Sequence, residues 1–214
     1  SSDVCSSDLT SSDRGATWTT TNMSATGQNA FAPQVAMSSD GTYQTITWQR
    51  PNGSNNIIQA ATSSDRGATW TTTDLSATGN NASYPQVAMS SDGTYQTITW
   101  QRPNGSNTVI QASTSSDSGS TWTRTRMSAT GQNAFDTQVA MSSDGTYQTI
   151  TWKRSNGSKY ITQAATSSDN GATWTTTDLS ATGQNAYGPQ VAMSSDGAYQ
   201  TVTWYRSKIG RAHV

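Results

Sequence analysis

The sequence predicts an all-β fold: a β-propeller, or part of one, built from four-stranded antiparallel blades. Three observations carry this. The octapeptide SSDRGATW stands at residues 11–18 and again at 63–70, then returns as SSDSGSTW at 115–122 and SSDNGATW at 167–174. A second motif, MSSDGTYQTITWQR at 37–50 and 89–102, recurs as MSSDGTYQTITWKR at 141–154 and MSSDGAYQTVTWYR at 193–206. Both keep one step of 52 residues, and Asn-Gly-Ser follows it too, from Asn52, Asn104 and Asn156. No stretch carries a 3.6-residue apolar period, so no helix is expected. Self-similarity near 50 residues with four short strands per unit describes a propeller blade.

Within one unit, residues 33–84, the turn residues set out the four strands. The short apolar run PQVAMS leads into Asp40-Gly41, a hairpin dipeptide. TYQTITWQR then alternates with period two. Gln44, Ile46, Trp48 and Arg50 share one face, and Tyr43, Thr45, Thr47 and Gln49 the other. Asn52-Gly53 supplies the next turn, and NIIQAAT, rich in β-branched and small residues, forms the third strand. The octapeptide closes a third hairpin into TWTTTDL, and segments such as SATGQNAFAP lead to the next unit.

The octapeptide has the chemistry of a self-contained hairpin loop. Its carboxylate (Asp13, Asp65, Asp117, Asp169) is placed to accept hydrogen bonds from the loop's own backbone N–H groups. Its glycine (Gly15, Gly67, Gly119, Gly171) suits a position where φ turns positive. Its tryptophan (Trp18, Trp70, Trp122, Trp174) is an apolar plug, and Trp48, Trp100, Trp152 and Trp204 give each unit a second anchor. These residues repeat because each blade needs its own staple.

The two ends read differently. VCSSDL at 4–9 and KIGRAHV at 208–214 can be encoded by reverse-complementary codons, as one oligonucleotide joined to both ends of a fragment would give. Residues 1–9 and 208–214 are therefore expected to be translated sequencing adapter, and such scars are excluded from fold reasoning. They hold Cys5 and His213, the chain's one cysteine and one histidine. The remaining 10–207 contains whole blades at 33–84, 85–136 and 137–188, with partial blades on either side. Further blades of the same parent chain are expected to complete it.

Composition narrows the function classes. Hydrophobic residues make up 31% and charged residues 12%, while eight tryptophans and eight tyrosines favour a packed structure over disorder. A net charge of −1 without a basic run offers nothing to nucleic acid or an anionic membrane. No apolar stretch approaches the length of a membrane span.

S-x-D-x-G-x-T-W is the Asp-box, or bacterial neuraminidase repeat, and four evenly spaced copies cover nearly all of residues 10–206. The chain resembles the sialidase-like β-propellers and the secreted bacterial repeat arrays related to them. The resemblance implies a box joining the third and fourth strands of each blade, on the face away from the catalytic site. It also implies a bacterial protein at the cell surface or outside the cell.

Catalysis in that family uses an arginine triad, a Tyr–Glu nucleophile pair and an Asp acid/base. All thirteen acids here are aspartates. Four lie in the boxes and four in the SSDG turns (Asp40, Asp92, Asp144, Asp196), and Asp74 and Asp178 hold equivalent repeat positions. Asp136, in AFDTQ where other units have AFAPQ, ASYPQ and AYGPQ, is the weak catalytic candidate. A glycosidase needs a pair of such groups. One carboxylate per turn is poor calcium ligation, and no metal or cofactor is expected.

Two readings follow. One is a non-catalytic module that binds glycans or cell-surface proteins, or serves as structure. The other is a fragment of a sialidase-like exo-glycosidase whose catalytic residues lie in missing blades. Near-identical units favour the first, because a catalytic propeller diversifies its blades. Ligand contacts are expected from Arg50, Arg102, Arg154 and Arg206, which end each second strand opposite the boxes, beside Gln28 and Asn29. Phe31, Tyr84, Phe135 and Tyr187 would stack on sugar rings. Packing of each arginine along its Trp is the competing expectation.

Overall fold

In the computed structural model, residues 7–24 and 29–206 are described. Gln28 and the expected adapter segments lie outside the described residues, apart from the backbone of 7–9. Sixteen strands and no helix occur among the described residues. The first blade is β3 (Phe31–Met37), β4 (Gln44–Asn52), β5 (Asn55–Ser63) and β6 (Thr71–Asp74). The second is β7 (Ser83–Met89), β8 (Gln96–Asn104), β9 (Asn107–Ser115) and β10 (Thr123–Arg126). The third is β11 (Ala134–Met141), β12 (Gln148–Ser155), β13 (Tyr160–Ser167) and β14 (Thr175–Asp178). Each is an antiparallel sheet in sequence order. Before them stands the pair β1 (Ser7–Thr10) and β2 (Thr19–Asn22), and after them β15 (Ala186–Met193) and β16 (Gln200–Arg206).

This is a partial β-propeller. The first strands β3, β7, β11 and β15 pack side by side and line the inner edge. β7, β11 and β15 each also rest on the second strand of the blade before. Connecting segments stitch the units together. The side chains of Asn81, Asn133 and Asn185 accept from the backbone N–H of Asn56, Thr108 and Tyr160 at 2.8–2.9 Å. The hydroxyls of Ser76, Ser128 and Ser180 accept from Ile58, Ile110 and Thr162 at 2.8–2.9 Å.

The hydrophobic core lies between blades. Ile58 and Ala60 of the first blade meet Ile98 and Trp100 of the second, and Ile110 and Ala112 of the second meet Ile150 and Trp152 of the third. Trp48, Trp100 and Trp152 are completely buried. Alternation along the second strand predicts one apolar and one wet face. Instead Thr45 and Thr47 are as buried as Trp48. The next blade covers their face, so each hydroxyl needs a partner inside. Thr45 donates to Gln96 of the next blade at 2.6 Å, Thr97 to Gln148 at 2.6 Å, and Thr47 to the Gln59 carbonyl at 3.0 Å.

Candidate functional site

Two ends of the blades offer themselves, and they are built differently. One end carries the S-x-D-x-G-x-T-W loops between third and fourth strands and the SSDG turns between first and second. In the first blade Ser63 Oγ donates to Asp65 at 2.8 Å while accepting from the Gly67 N–H at 2.8 Å. Asp65 also accepts from the Thr69 N–H at 2.8 Å and hydroxyl at 2.6 Å, and Trp70 Nε1 donates to the Gly67 carbonyl at 3.0 Å. These bonds to the ionised form, led by the Thr69 hydroxyl, hold the Asp65 carboxyl down at about 2.

The other three loops repeat the arrangement. Asp13 and Asp169 are likewise lowered to about 2, and Asp117 is lowered, each chiefly by its own threonine hydroxyl. Gly67, Gly119 and Gly171 combine positive φ with close approach: a Cβ on Gly119 would lie 2.6 Å from Thr62 of the preceding blade. Trp70, Trp122 and Trp174 pack half-buried against the interblade clusters, whereas Trp18 is 58% exposed. Open grooves of about 380 and 470 Å³ run between successive loops, lined mainly by serine and threonine. Asp117 and Asp169 border them with their oxygens committed to their own turns.

At the opposite end each first strand carries a bulge, where the ladder skips between Phe31 and Gln34, Ser83 and Gln86, Phe135 and Gln138, and Tyr187 and Gln190. The bulged residues Ala32, Tyr84, Asp136 and Gly188 share a left-handed φ of 49–57°. For Ala and Tyr this is an uncommon conformation, retained only where the surroundings fix it. Phe31, Phe135 and Tyr187 occupy one equivalent position, just before the bulge, where the second blade has Ser83. Tyr84 stands one residue later, within the bulge. The four aromatics therefore do not form one equivalent row. Phe31 is 44% and Tyr84 61% exposed, while Phe135 and Tyr187 are half-buried.

Phe135 and Tyr187 belong to a cluster that repeat-based reading missed. Lys153 Nζ lies 5.4–5.6 Å from the ring centres of Phe135, Tyr160 and Tyr187. Tyr187 stacks on Tyr205 with centroids 5.4 Å apart. Asp136, the weak catalytic candidate, forms an ion pair with Lys153 at 2.7 Å. The signal in the sequence was departure from the repeat: Lys153 and Tyr205 replace Gln49 and Gln101, and Tyr160 replaces Asn56 and Thr108.

The arginines are not equivalent either. Arg50 reaches both Asp74 oxygens at 3.2 Å, and Arg154 reaches those of Asp178 at 3.2 and 2.9 Å. Arg206 donates to Gln184 at 3.2 Å. Arg102 makes no ion pair among the described residues, because the second blade has Arg126 where its neighbours have Asp74 and Asp178. Among the same residues no three His, Cys, Asp or Glu side chains group as metal ligands, and no helix is long and apolar enough to cross a membrane.

No protein-family model matches the chain, and no curated protein sequence matches it. Solved structures do. An α-L-arabinofuranosidase from Fusarium graminearum, in complex with an iminosugar inhibitor, aligns with TM-score 0.56 at 18% identity over 77% of this chain and 53% of its own. An N-acetylgalactosamine deacetylase from F. plautii, in complex with blood group B trisaccharide, gives 0.51 at 12% over 86% and 64%. An endo-arabinase from Bacteroides thetaiotaomicron gives 0.51 at 11% over 91% and 83%. The chain thus spans about half the length of the arabinofuranosidase it matches. At these identities the likeness is one of fold.

Proposed function

We propose that the chain is a non-catalytic, glycan-binding segment of an Asp-box propeller, secreted or displayed at a bacterial surface, with the bulge end as its binding face. One observation carries the reading: the repeats hold the Ser, Asp, Gly, Thr and Trp of their octapeptide loops constant and vary their bulge end, where exposed aromatics stand on fixed backbone. Phe31 and Tyr84 offer flat apolar faces beside polar neighbours, the surface a sugar ring stacks on. The carboxylates are otherwise engaged. Eight brace turns, Asp74 and Asp178 hold arginines, and Asp136 holds Lys153. A two-carboxyl glycosidase mechanism has no free pair to draw on among the described side chains. Extracellular display rests on the Asp-box resemblance.

Binding of the purified chain to a glycan array, followed by titration of the best neutral oligosaccharide, tests this. Tyr84→Ala and Phe31→Ala should each weaken binding by about threefold to tenfold with melting unchanged, as loss of one stacking ring implies. Binding that survives both variants, or turnover of any glycoside by the chain, would sink the proposal.

A further inference from the structure

The second blade breaks the repeat in its fourth strand, where TRTR at 123–126 stands in place of TTTD at 71–74 and 175–178. In the flanking blades the final Asp is a bound carboxylate in all but its covalent link. It receives the second-strand arginine, Arg50 or Arg154, at 2.9–3.2 Å and the third-strand glutamine, Gln59 or Gln163, at 2.7 Å. The second blade keeps both donors. Arg102 keeps the corresponding backbone contact, its Nη1 donating to the Pro103 carbonyl at 2.8 Å as Arg50 Nη1 does to Pro51 at 3.1 Å. Gln111 faces Arg126 across the ladder as Gln59 faces Asp74.

The acceptor is missing and further positive charge stands in its place. Gln111 is nine-tenths buried and makes no side-chain hydrogen bond among the described residues. Arg126 is exposed at the rim, and Arg124, two residues earlier on the same face, donates to the Leu75 carbonyl of the preceding unit at 2.8 Å. Burial first, and then the charges of Arg124 and Arg126, lower the pKa of Arg102 from its ordinary value. Like charges this close are unfavourable until an anion joins them.

We propose that Arg102, Gln111 and Arg126 form a subsite for a ligand carboxylate, which occupies the place that Asp74 and Asp178 fill in the flanking blades. A planar guanidinium and an amide donating to two oxygens is the geometry a carboxylate matches. Taking the glycan reading above as its premise for the rest of the ligand, the carboxylate is that of a uronic acid residue in an acidic glycan. Among the described residues this arrangement occurs once, in the second blade.

Titration of the full chain with D-glucuronate, followed by NMR or calorimetry, tests the subsite, with D-glucose as the neutral comparison. Arg126→Asp restores the residue that the flanking blades carry at this position, so it should fold and melt no lower than the parent. It should weaken glucuronate binding by about tenfold or more, the equivalent of one charge-assisted hydrogen bond. Glucuronate binding unchanged in Arg126→Asp would overturn the subsite. Inorganic sulfate competing as well as glucuronate would overturn the assignment to a carboxylate. If Arg126→Asp loses glucuronate while no neutral glycan binds the parent at all, the subsite stands and the aromatic face is refuted.

Discussion

A close contact between blades involves a glycine, and it makes the most demanding prediction. Gly145, in the SSDG turn of the third blade, has φ +78° and lies under Tyr95 of the second. A Cβ added there would sit 2.5 Å from the Tyr95 Cδ2, 2.6 Å from its Cβ and 2.7 Å from its Cγ. Two of those atoms are at the root of the side chain, so no rotamer change removes the clash. Gly145→Ala therefore carries two costs. A left-handed φ for an L-residue costs about 1–2 kcal/mol, and overpacking typically costs about 1–3 kcal/mol. The sum is about 2–5 kcal/mol. Gly105→Ala is the control, since φ there is +65° with nothing within 4 Å of the added carbon. It should show the conformational cost alone, about 1–2 kcal/mol. Urea unfolding followed by tryptophan fluorescence reads both, with each transition fitted separately because repeat arrays need not unfold as one unit. Equal losses in the two variants would refute interblade packing of Tyr95 on Gly145.

Three further outcomes follow from the same structure. Asp65 is held at about 2 against an ordinary value of 3.8, so its folded pKa is depressed and its stabilisation is present above about pH 4 and lost as pH falls through 2. The melting temperature should drop across that window, less steeply in Asp65→Asn, and a flat profile from pH 5 to about 2 would refute it. Trp100→Ala, at a fully buried site, should cost about 3–5 kcal/mol in denaturant titration, while Trp18→Ala, 58% exposed, should cost much less; similar losses would contradict the placement of the core. Asp178→Ala should lower the melting temperature slightly, because Arg154 is left half-buried without its partner, and Arg154→Ala in that background should restore part of the loss.

Much of the fold was legible because the repeat fixes it: four strands per unit, a loop whose Ser, Asp, Gly, Thr and Trp satisfy one another within eight residues, and turns at Asp-Gly and Asn-Gly. The burial of Thr45 and Thr47 was not, because period two along a strand records which face a residue takes and not what covers that face. The pairing of Arg50 with Asp74 was hidden for a similar reason. The partners lie 24 residues apart on strands separated by a third, so only the register of β4, β5 and β6 brings them together. The bulges of the first two blades left no local sign, since Ala32 and Tyr84 take a conformation usually signalled by Gly or Asn. Arg126 and Lys153 were visible as breaks in the repeat, but their meaning depended on what the unbroken blades do at those positions.

The division between the two ends has a physical cause. At the loop end the backbone of one blade bonds directly to the next, Ser39 N–H to Ser91, Ser91 to Ser143 and Ser143 to Ser195, at 2.7–2.8 Å. Tyr43, Tyr95 and Tyr147 each press on a glycine of the following turn. A substitution there disturbs two blades at once, and both carboxylate oxygens of Asp40, Asp65, Asp92, Asp117, Asp144 and Asp169 are taken up by their own turns. At the bulge end the ladder is paired on both sides of the break, so φ is set by neighbours, and the bulged side chains of Tyr84 and Asp136 stand exposed. Ala, Tyr, Asp and Gly all occupy that position on the same backbone. Stability is thus concentrated where the repeats agree, and the residues that differ stand on the surface that can change without loosening the array.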